Sequence, residues 1–143
     1  MAKRMRIVLD GSITCAAALF EDEAPRTVDA LWQRLPIDDR TIQVRWSGNA
    51  WRTDQNYQLL PKGAPVENVA DRLSKGDIIY YPGSTLVKIG FAYGPAKWYN
   101  PFAEPIDVAL IGKIDENLEA FAKRCEDIIS VGPLSVRLSR LEG

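Results

Sequence analysis

The chain has 143 residues, of which 46% are hydrophobic and 26% are charged, and its 18 basic and 19 acidic side chains leave a formal net charge of −1. This length and composition are typical of one globular domain with a sizeable core. The near balance of charge argues against a nucleic-acid partner, which usually requires a basic face, and it gives no reason to expect binding to an anionic membrane.

The residue types that are missing narrow the chemistry further. The sequence has no histidine, which excludes imidazole catalysis, Ser–His and Cys–His nucleophiles and His-ligated metals. The two cysteines, Cys15 and Cys125, form neither a CxxC motif nor a metal-binding spacing, and Cys125 falls on an apolar helical face. The charged start MAKRMR is not followed by the apolar run of a signal peptide. We therefore expect a cytoplasmic protein with reduced thiols, no metal and no cofactor.

The first part of the chain predicts a hairpin followed by a helix. Residues 5–9 (MRIVL) predict a strand, Asp10-Gly11 predicts a tight turn, and residues 13–20 form the returning strand. The acidic run at residues 21–23 then places negative charge before a helix N-terminus, where the helix dipole favours it. We predict the helix over residues 25–35, because apolar side chains recur there at helical spacing and proline suits the first turn.

The middle of the chain predicts one strand pair and a long connection. Residues 41–46 (TIQVRW) alternate between apolar and polar side chains, as a half-buried strand does. Ser47-Gly48-Asn49 predicts a turn, after which residues 50–53 pair back. Residues 54–76 are polar and rich in turn-forming residues, which indicates an excursion over the surface.

The last part predicts four strands, a loop and a second amphipathic helix. The strands are residues 77–81, 86–91, 106–114 and 134–138, the irregular loop is residues 94–105, and the helix is residues 117–128. About eight short strands with two helices favour a mainly β fold, because a closed antiparallel β-barrel capped by two α-helices leaves no exposed strand edge. We predict one domain over residues 1–143, with the helices at opposite openings of the barrel.

Several segments resemble the cyclophilins. Residues 19–31 (LFEDEAPRTVDAL) are similar to the acidic segment that leads into the first cyclophilin helix, and residues 111–128 (IGKIDENLEAFAKRCEDI) are similar to the strand that leads into the second. The middle is closer to a smaller bacterial group, the cyclophilin-like domains of unknown function. That group carries an R-W-x-G turn, a K-G-D-[IV]-x-Y-x-P-G strand and a later aromatic–glycine pair, here residues 45–48, residues 75–83 and Tyr93-Gly94. The resemblance covers nearly the whole chain and implies the cyclophilin-like barrel.

The resemblance does not extend to the active site of the prolyl isomerases. Arg45 could occupy the position of the strand arginine that those enzymes use. However, residues 49–58 (NAWRTDQNYQ) do not reproduce F-x-x-Q-x-G, and residues 85–94 (TLVKIGFAYG) do not reproduce G-S-Q-F-F. We therefore expect the fold without the reaction, and a degenerate prolyl isomerase stays an alternative.

Arg45 is the candidate catalytic residue. Its planar guanidinium would hold a carboxylate or carbonyl oxygen, although an ordinary solvated arginine explains the sequence equally well. Arg52 and Asp54 are its candidate neighbours or simple surface residues, and Lys88 either points to solvent or provides a pocket cation. Aromatic residues at predicted turns and strand ends are candidate ligand-binding groups, with packing as an equal alternative. They are Trp46, Trp51, Tyr57, Tyr81, Tyr93 and Trp98.

These features favour a small cytoplasmic cyclophilin-like protein that binds or converts a carboxylate- or amide-bearing metabolite in an aromatic pocket. The second alternative is an assembly or interaction subunit that uses the aromatic loop at residues 94–102. The expected partner is a small molecule rather than a nucleic acid or a membrane. The sequence leaves a homo-oligomer open, and it does not decide whether any bond is made or broken.

Overall fold

The computed structural model describes residues 3–99 and 106–142. Within these two ranges the chain forms nine β-strands, three α-helices and one short 3-10 helix. In chain order they are β1 (Arg4–Leu9), β2 (Ile13–Leu19), α1 (Pro25–Arg34), β3 (Ile37–Gln43), the 3-10 helix (Arg45–Ser47), β4 (Gly48–Thr53), β5 (Val69–Ala70), β6 (Asp77–Pro82), β7 (Val87–Ala96), β8 (Val108–Glu116), α2 (Leu118–Cys125), α3 (Ile128–Val131) and β9 (Ser135–Arg140).

Eight of these strands form a closed antiparallel barrel. Neighbouring strands follow the order β2-β1-β9-β3-β4-β7-β6-β8, and β8 pairs with β2 to close the ring. Ile7 lies opposite Leu138 in the β1–β9 pair, and Leu19 lies opposite Gly112 in the closing pair. The two-residue strand β5 pairs with β8 as an additional strand. The predicted fold, a mainly β closed barrel with helical caps, is confirmed.

Inward-facing side chains of the strands form the main core. Trp51 of β4 lies opposite Phe91 of β7 in the strand register, and their rings stack with centroids 4.3 Å apart. Phe121 of α2 approaches each of these rings, with centroids 6.3 Å apart. All three side chains are completely buried. The helix α2 therefore closes the barrel by packing an aromatic side chain against the interior of the sheet.

The helices α1 and α2 lie at opposite ends of the barrel, as the sequence predicts. α1 follows the end of β2, whereas Asn117, which precedes α2, donates an Nδ2 hydrogen bond of 3.0 Å to the Thr14 carbonyl near the start of β2. Val28 and Leu31 of α1 are buried against the barrel. Within the described ranges, no helix combines the length and the apolar character needed to cross a membrane.

The predicted strand over residues 41–46 is wrong at both ends, because β3 begins at Ile37 and ends at Gln43. β3 ends at Gln43, and the chain then turns, with the Ser47 N–H donating a 2.8 Å hydrogen bond to the Val44 carbonyl. Arg45 therefore lies in a 3-10 helix and does not share a strand face with Gln43. The alternation of apolar and polar side chains continues through this turn, so the sequence pattern gives no sign of it.

Several further details differ from the prediction, among them the ends of β8 and β9, which span residues 108–116 and 135–140. β7 continues to Ala96, because its end pairs with Gly48 of β4, so the predicted loop begins later than residue 94. The second predicted helix is divided into α2 and α3. The surface excursion over residues 54–76 contains the short strand β5. The loop residues 100–105 lie outside the described residues.

Candidate functional site

The outer face of β7 carries mostly small residues. Val87, Ile89, Phe91 and Tyr93 belong to the main core, so the alternate residues 88, 90, 92 and 94 face outward. The ring of Trp98 lies across Gly90, since a Cβ atom at Gly90 would be 2.5 Å from the Trp98 Cη2 atom. A second apolar cluster thus forms on the outside of the barrel, with Trp98 at its centre.

A small cleft, here named the outer cleft, opens beside this cluster. Its volume is about 20 Å³. Its lining consists of aromatic and aliphatic side chains with one arginine. These residues are Val44, Trp46, Arg52, Tyr81, Leu86, Trp98 and Tyr99. Trp46 is held by a 2.9 Å hydrogen bond from its Nε1 to the Tyr99 carbonyl oxygen.

Two basic side chains lie on the outer face near the outer cleft, and one of them, Arg52, lines it. Arg52 lies opposite Gly90 in the β4–β7 register, and Lys88 precedes Gly90 by two residues. Arg52 and Lys88 are therefore diagonal neighbours on one face of the sheet. Arg52 is half-buried, and Lys88 is only 3% exposed. Their nitrogen atoms donate to backbone carbonyls, Arg52 to Thr53 at 2.9 Å and Lys88 to Asp54. Within the described ranges neither forms an ion pair with a carboxylate, because the Asp54 side chain pairs with Arg40.

Burial lowers the pKa of both groups. Loss of solvation lowers the pKa of Arg52, and the carboxylates of Asp54 and Asp39 oppose this effect. Loss of solvation also lowers the pKa of Lys88, the neighbouring guanidinium of Arg52 lowers it further, and Asp54 and Asp39 again act in the opposite direction. Two cations thus lie side by side where their charges are only partly compensated.

Arg45 lies on the other side of Trp46, at a wider groove. This groove, here named the β3–α3 groove, has a volume of about 440 Å³. Most of its lining is apolar. It comprises Thr41, Ile42, Gln43, Arg45, Trp46, Ile128, Ile129, Gly132 and Pro133. Trp46 is 47% exposed and Ile129 is 52% exposed. The Arg45 side chain is exposed and has no hydrogen bond or ion pair with another described residue.

The structure divides the predicted aromatic residues into two groups. Trp46, Tyr81 and Trp98 come together around the outer cleft. Trp51, Tyr57 and Tyr93 are instead buried in the main core. Tyr57 donates its hydroxyl hydrogen bond of 2.5 Å to Asp39, and the Tyr93 hydroxyl accepts one of 2.8 Å from Gln43. Within the described part of the chain the six aromatic residues do not line one pocket, and ligand binding by each residue stays a prediction.

The alternation of residues along β7 indicates where Lys88 lies. In residues 86–91 (LVKIGF) the apolar side chains at positions 87, 89 and 91 alternate, and Lys88 falls out of phase with them. This pattern places Lys88 on the outer face. Its proximity to Arg52 depends on the register between β4 and β7, which the sequence does not reveal. Among the described residues, no group of three or more Cys, Asp or Glu side chains is arranged to hold a metal ion.

Comparison with known protein families shows the family to which this chain belongs. A family model described as "Protein of unknown function (DUF3830)" matches residues 7–140. The chain belongs to the DUF3830 family. No curated protein matches this DUF3830 member by sequence.

Two solved structures share the fold of this DUF3830 member. "Structure of McbB in complex with tryptophan" superimposes with a TM-score of 0.73 and 19% identity over 97% of this chain, which spans 45% of the McbB chain. The solution structure of the hypothetical protein AF2241 from Archaeoglobus fulgidus gives a TM-score of 0.61 and 23% identity, covering 98% of this chain and 95% of that one. At these identities the likeness establishes the cyclophilin-like fold alone.

Proposed function

We propose that this protein binds a small carboxylate-bearing metabolite in the β3–α3 groove. The observation that carries this proposal is an exposed guanidinium, Arg45, next to a half-exposed indole, Trp46, at an apolar groove of about 440 Å³. That volume is in the range of small-molecule sites, which are mostly apolar and contain a few polar groups that fix orientation. Arg45 would bind the carboxylate, and Trp46 would contact the apolar part of the ligand.

The guanidinium suits this role better than an ammonium would. Its planar array of N–H groups matches the two oxygens of a carboxylate, and charge-assisted hydrogen bonds are stronger than neutral ones. We assign direct contact with the ligand to Trp46 among the six aromatic candidates. Tyr81 and Trp98 would support the Trp46 ring from the outer cleft, and Tyr93 would act through its hydrogen bond with Gln43. Trp51 and Tyr57 would maintain the barrel behind the groove.

An aromatic carboxylate is the natural first probe. A structural relative with a TM-score of 0.73 was solved in complex with tryptophan, which combines a carboxylate with an indole. The indole of such a ligand can stack on Trp46, and the carboxylate of the same ligand can reach Arg45. We also propose a cytoplasmic location, which the two free thiols of Cys15 and Cys125 support.

The test is isothermal titration with L-tryptophan, indole-3-acetate and benzoate, with tryptamine as the analogue that lacks the carboxylate. We expect the carboxylates to bind and tryptamine to bind at least tenfold more weakly. Arg45→Ala should weaken carboxylate binding by roughly 10- to 100-fold, because a hydrogen bond to a charged group contributes about 1.5–3 kcal/mol. Arg45→Lys should recover part of this loss.

The matched control is Arg26→Ala, which removes an exposed arginine from α1 at the other end of the barrel. It should leave binding unchanged. The proposal fails if none of the three carboxylates binds at millimolar concentration, or if Arg45→Ala binds them as the unaltered protein does.

A protein-interaction surface is the second candidate. Around the β3–α3 groove, Trp46, Ile129 and Val131 expose 47%, 52% and 57% of their surface, and exposed apolar patches often mark interfaces. A concentration-dependent dimer that Ile129→Asp abolishes would favour this reading and the homo-oligomer that the sequence leaves open. Prolyl isomerisation has weaker support, because the motifs that those enzymes use are missing from residues 49–58 and 85–94.

A further inference from the structure

We propose that a cavity beside α1 binds a free amino acid with an aliphatic side chain, whose carboxylate contacts Lys62 and whose ammonium group contacts Glu67. This cavity, here named the α1 cavity, has a volume of about 260 Å³ and is lined by Thr27, residues 58, 60–67 and 82–84, Tyr80 and Ala109. It shares no lining residue with the β3–α3 groove, so the inference does not depend on the proposed function.

The α1 cavity reaches the interior of the barrel. Tyr80 of β6 and Ala109 of β8 lie opposite each other in the strand register and line the cavity, although each is only 1% exposed and belongs to the main core. The cavity is therefore a recess between the sheet and the loop that covers it. Its volume is just below the roughly 300–1,000 Å³ of ligand pockets, which suits a ligand of amino-acid size.

The walls of the α1 cavity suit an aliphatic side chain. Tyr80 is the one aromatic residue in the lining, and its hydroxyl is already engaged, since it accepts a 3.0 Å hydrogen bond from the Leu59 N–H and donates one of 2.6 Å to the Tyr57 carbonyl. Three prolines in the walls have a fixed φ angle, so the recess is preorganised and binding costs less conformational entropy. The aliphatic wall residues are Leu60, Pro61, Pro65, Val66 and Pro82.

Lys62 provides the cation of the α1 cavity. It lies in a turn over residues 61–64, which is closed by a 3.1 Å hydrogen bond from the Ala64 N–H to the Pro61 carbonyl. The Lys62 side chain is exposed and lines the cavity, and no carboxylate of the described residues pairs with it. A lysine ammonium is a compact charge with three rotatable donors, so Lys62 can bind a ligand carboxylate at the mouth of the recess.

Glu67 provides a fixed anion. Its Oε1 accepts hydrogen bonds from the Thr27 N–H at 2.7 Å and the Thr27 hydroxyl at 2.8 Å, whereas its Oε2 accepts only a long one of 3.3 Å from the Arg26 N–H. An ionised carboxylate has about four lone-pair sites, so Oε2 can accept a further hydrogen bond. The ammonium group of a ligand would supply that donor.

The two opposite charges line one cavity without pairing with each other. Lys62 and Glu67 both line the recess, and the structure shows no ion pair between these two described residues. A ligand that contacts both needs an anionic and a cationic group, and an α-amino acid carries the two on one carbon atom. Its side chain would then extend along the aliphatic walls toward Ala109. A ligand with one charge would leave the other protein group without compensation where the ligand displaces water.

The experiment is isothermal titration at pH 7 with L-leucine and two analogues of it. One analogue, 4-methylpentanoate, lacks the ammonium group, and the other, 3-methylbutylamine, lacks the carboxylate. We expect saturable binding of one L-leucine per chain. Each analogue should bind about tenfold more weakly, because charge-assisted hydrogen bonds are stronger than neutral ones.

Two substitutions assign the charges to their partners. Lys62→Met should weaken L-leucine binding about tenfold and leave 3-methylbutylamine binding unchanged, because that analogue has no carboxylate to lose a partner. Glu67→Gln should weaken L-leucine binding similarly and leave 4-methylpentanoate binding unchanged. If Glu67→Gln does not fold, as judged by circular dichroism, Lys62→Met on the exposed turn provides the deciding comparison.

The matched controls remove similar charges elsewhere. Lys123→Met removes an exposed lysine of α2, Glu23→Gln removes an exposed acidic residue before α1, and Arg45→Ala alters the β3–α3 groove. All three should bind L-leucine as the unaltered protein does.

Three results would overturn the inference. These are no L-leucine binding at millimolar concentration, an analogue that binds as tightly as L-leucine, and unchanged L-leucine binding in Lys62→Met. Loss of L-leucine binding in Arg45→Ala, with binding intact in Lys62→Met, would place the amino acid in the β3–α3 groove and also contradict the inference. Failure of L-tryptophan and the other aromatic carboxylates to bind would contradict the proposed function alone.

Discussion

At the scale of single residues, Glu67 shows how a distant side chain can do what a local pattern predicts. α1 begins after Ala24, which has no side-chain oxygen to cap the helix. The Glu67 carboxylate accepts hydrogen bonds from the Thr27 N–H at 2.7 Å, the Thr27 hydroxyl at 2.8 Å and the Arg26 N–H at 3.3 Å. The acidic run at residues 21–23 was expected to serve this end, but Glu21 instead binds Lys3.

Substitution of Glu67 should therefore destabilise the protein in a pH-dependent manner. Burial alone would raise the pKa of Glu67, but the hydrogen bonds from Thr27 and Arg26 lower it below its ordinary value. A lowered pKa in the folded state stabilises the protein above the unfolded-state pKa of about 4.3, and the contribution is lost as the pH falls through the folded-state pKa. We expect Glu67→Gln to reduce the free energy of unfolding by about 1 kcal/mol at pH 7 and by much less at pH 3.

Urea denaturation at both pH values measures this difference, and Glu23→Gln is the matched control. Glu23 is an exposed member of the acidic run before α1. Glu23→Gln should reduce the free energy of unfolding by only about a few tenths of a kcal/mol, because it removes only a screened interaction with the helix dipole. An equal cost for the two substitutions would mean that general helix-end charge, and not the Glu67 hydrogen bonds, stabilises α1.

At the scale of elements, the small residues on the outer face of β7 provide the surface on which Trp98 packs. Gly90 has no side chain, and a Cβ atom there would lie 2.5 Å from Trp98 Cη2 and 2.8 Å from Ile79 Cδ1. Such distances are shorter than a van der Waals contact, so any side chain at position 90 displaces the indole. The outer cleft therefore depends on this glycine, because Trp98 is one of its walls.

Gly90→Ala should destabilise the protein by about 1–3 kcal/mol, since overpacking forces side chains and backbone to shift. Chemical denaturation followed by circular dichroism measures the effect. In a Trp98→Ala background the same substitution should cost clearly less, because the main clash is gone and the two changes are not additive. Equal costs in both backgrounds would show that Ile79 or the backbone, rather than Trp98, limits the space at position 90.

The sequence predicted the elements better than it predicted their ends. The hydrophobic alternation identified most strands, because one face of each is buried in the barrel. The end of β7 was misplaced because Gly94-Pro95 is typical of a turn, whereas pairing with β4 keeps the chain extended to Ala96. Arg45 was misplaced because the 3-10 helix continues the alternation of β3. The proximity of Trp46, Tyr81 and Trp98 to Arg52 depends on which strands pair and on how the loops fold over them, and alternation along one strand does not specify either.

At the scale of the whole molecule, both cysteines are enclosed by the barrel and its cap. Cys15 and Cys125 are buried, and Cys125 accepts a hydrogen bond of 3.2 Å from Trp51 Nε1. Burial raises the pKa of the Cys15 thiol to about 12, and it raises that of Cys125 to about 12 against the opposing effect of the Trp51 hydrogen bond. The apolar helical face on which the sequence places Cys125 is therefore a buried face. Neither thiol is accessible as a thiolate, which is the reactive form.

Modification of the two thiols should therefore report unfolding of the whole protein. At pH 8 and in the absence of denaturant, we expect both to react with iodoacetamide at the same slow rate, which rises with urea in parallel with global unfolding. Mass spectrometry of the labelled peptides measures each rate. Ser130→Cys places a thiol at an exposed position of α3 and should react at once. Rapid labelling of Cys125 alone would show that α2 opens independently of the barrel.

Closure of the ring has a consequence for the protein while it is being synthesised. β1 and β3 each pair with β9, and the Ile7–Leu138 contact joins residues 131 positions apart, 138 − 7 = 131. Until β9 has left the ribosome, the nascent chain therefore presents two unpaired strand edges, which are templates for aggregation. Contacts so distant in sequence also form slowly. A ribosome-bound chain stalled before Ser135 should therefore bind a general chaperone, whereas a chain extended past Arg140 and released should not.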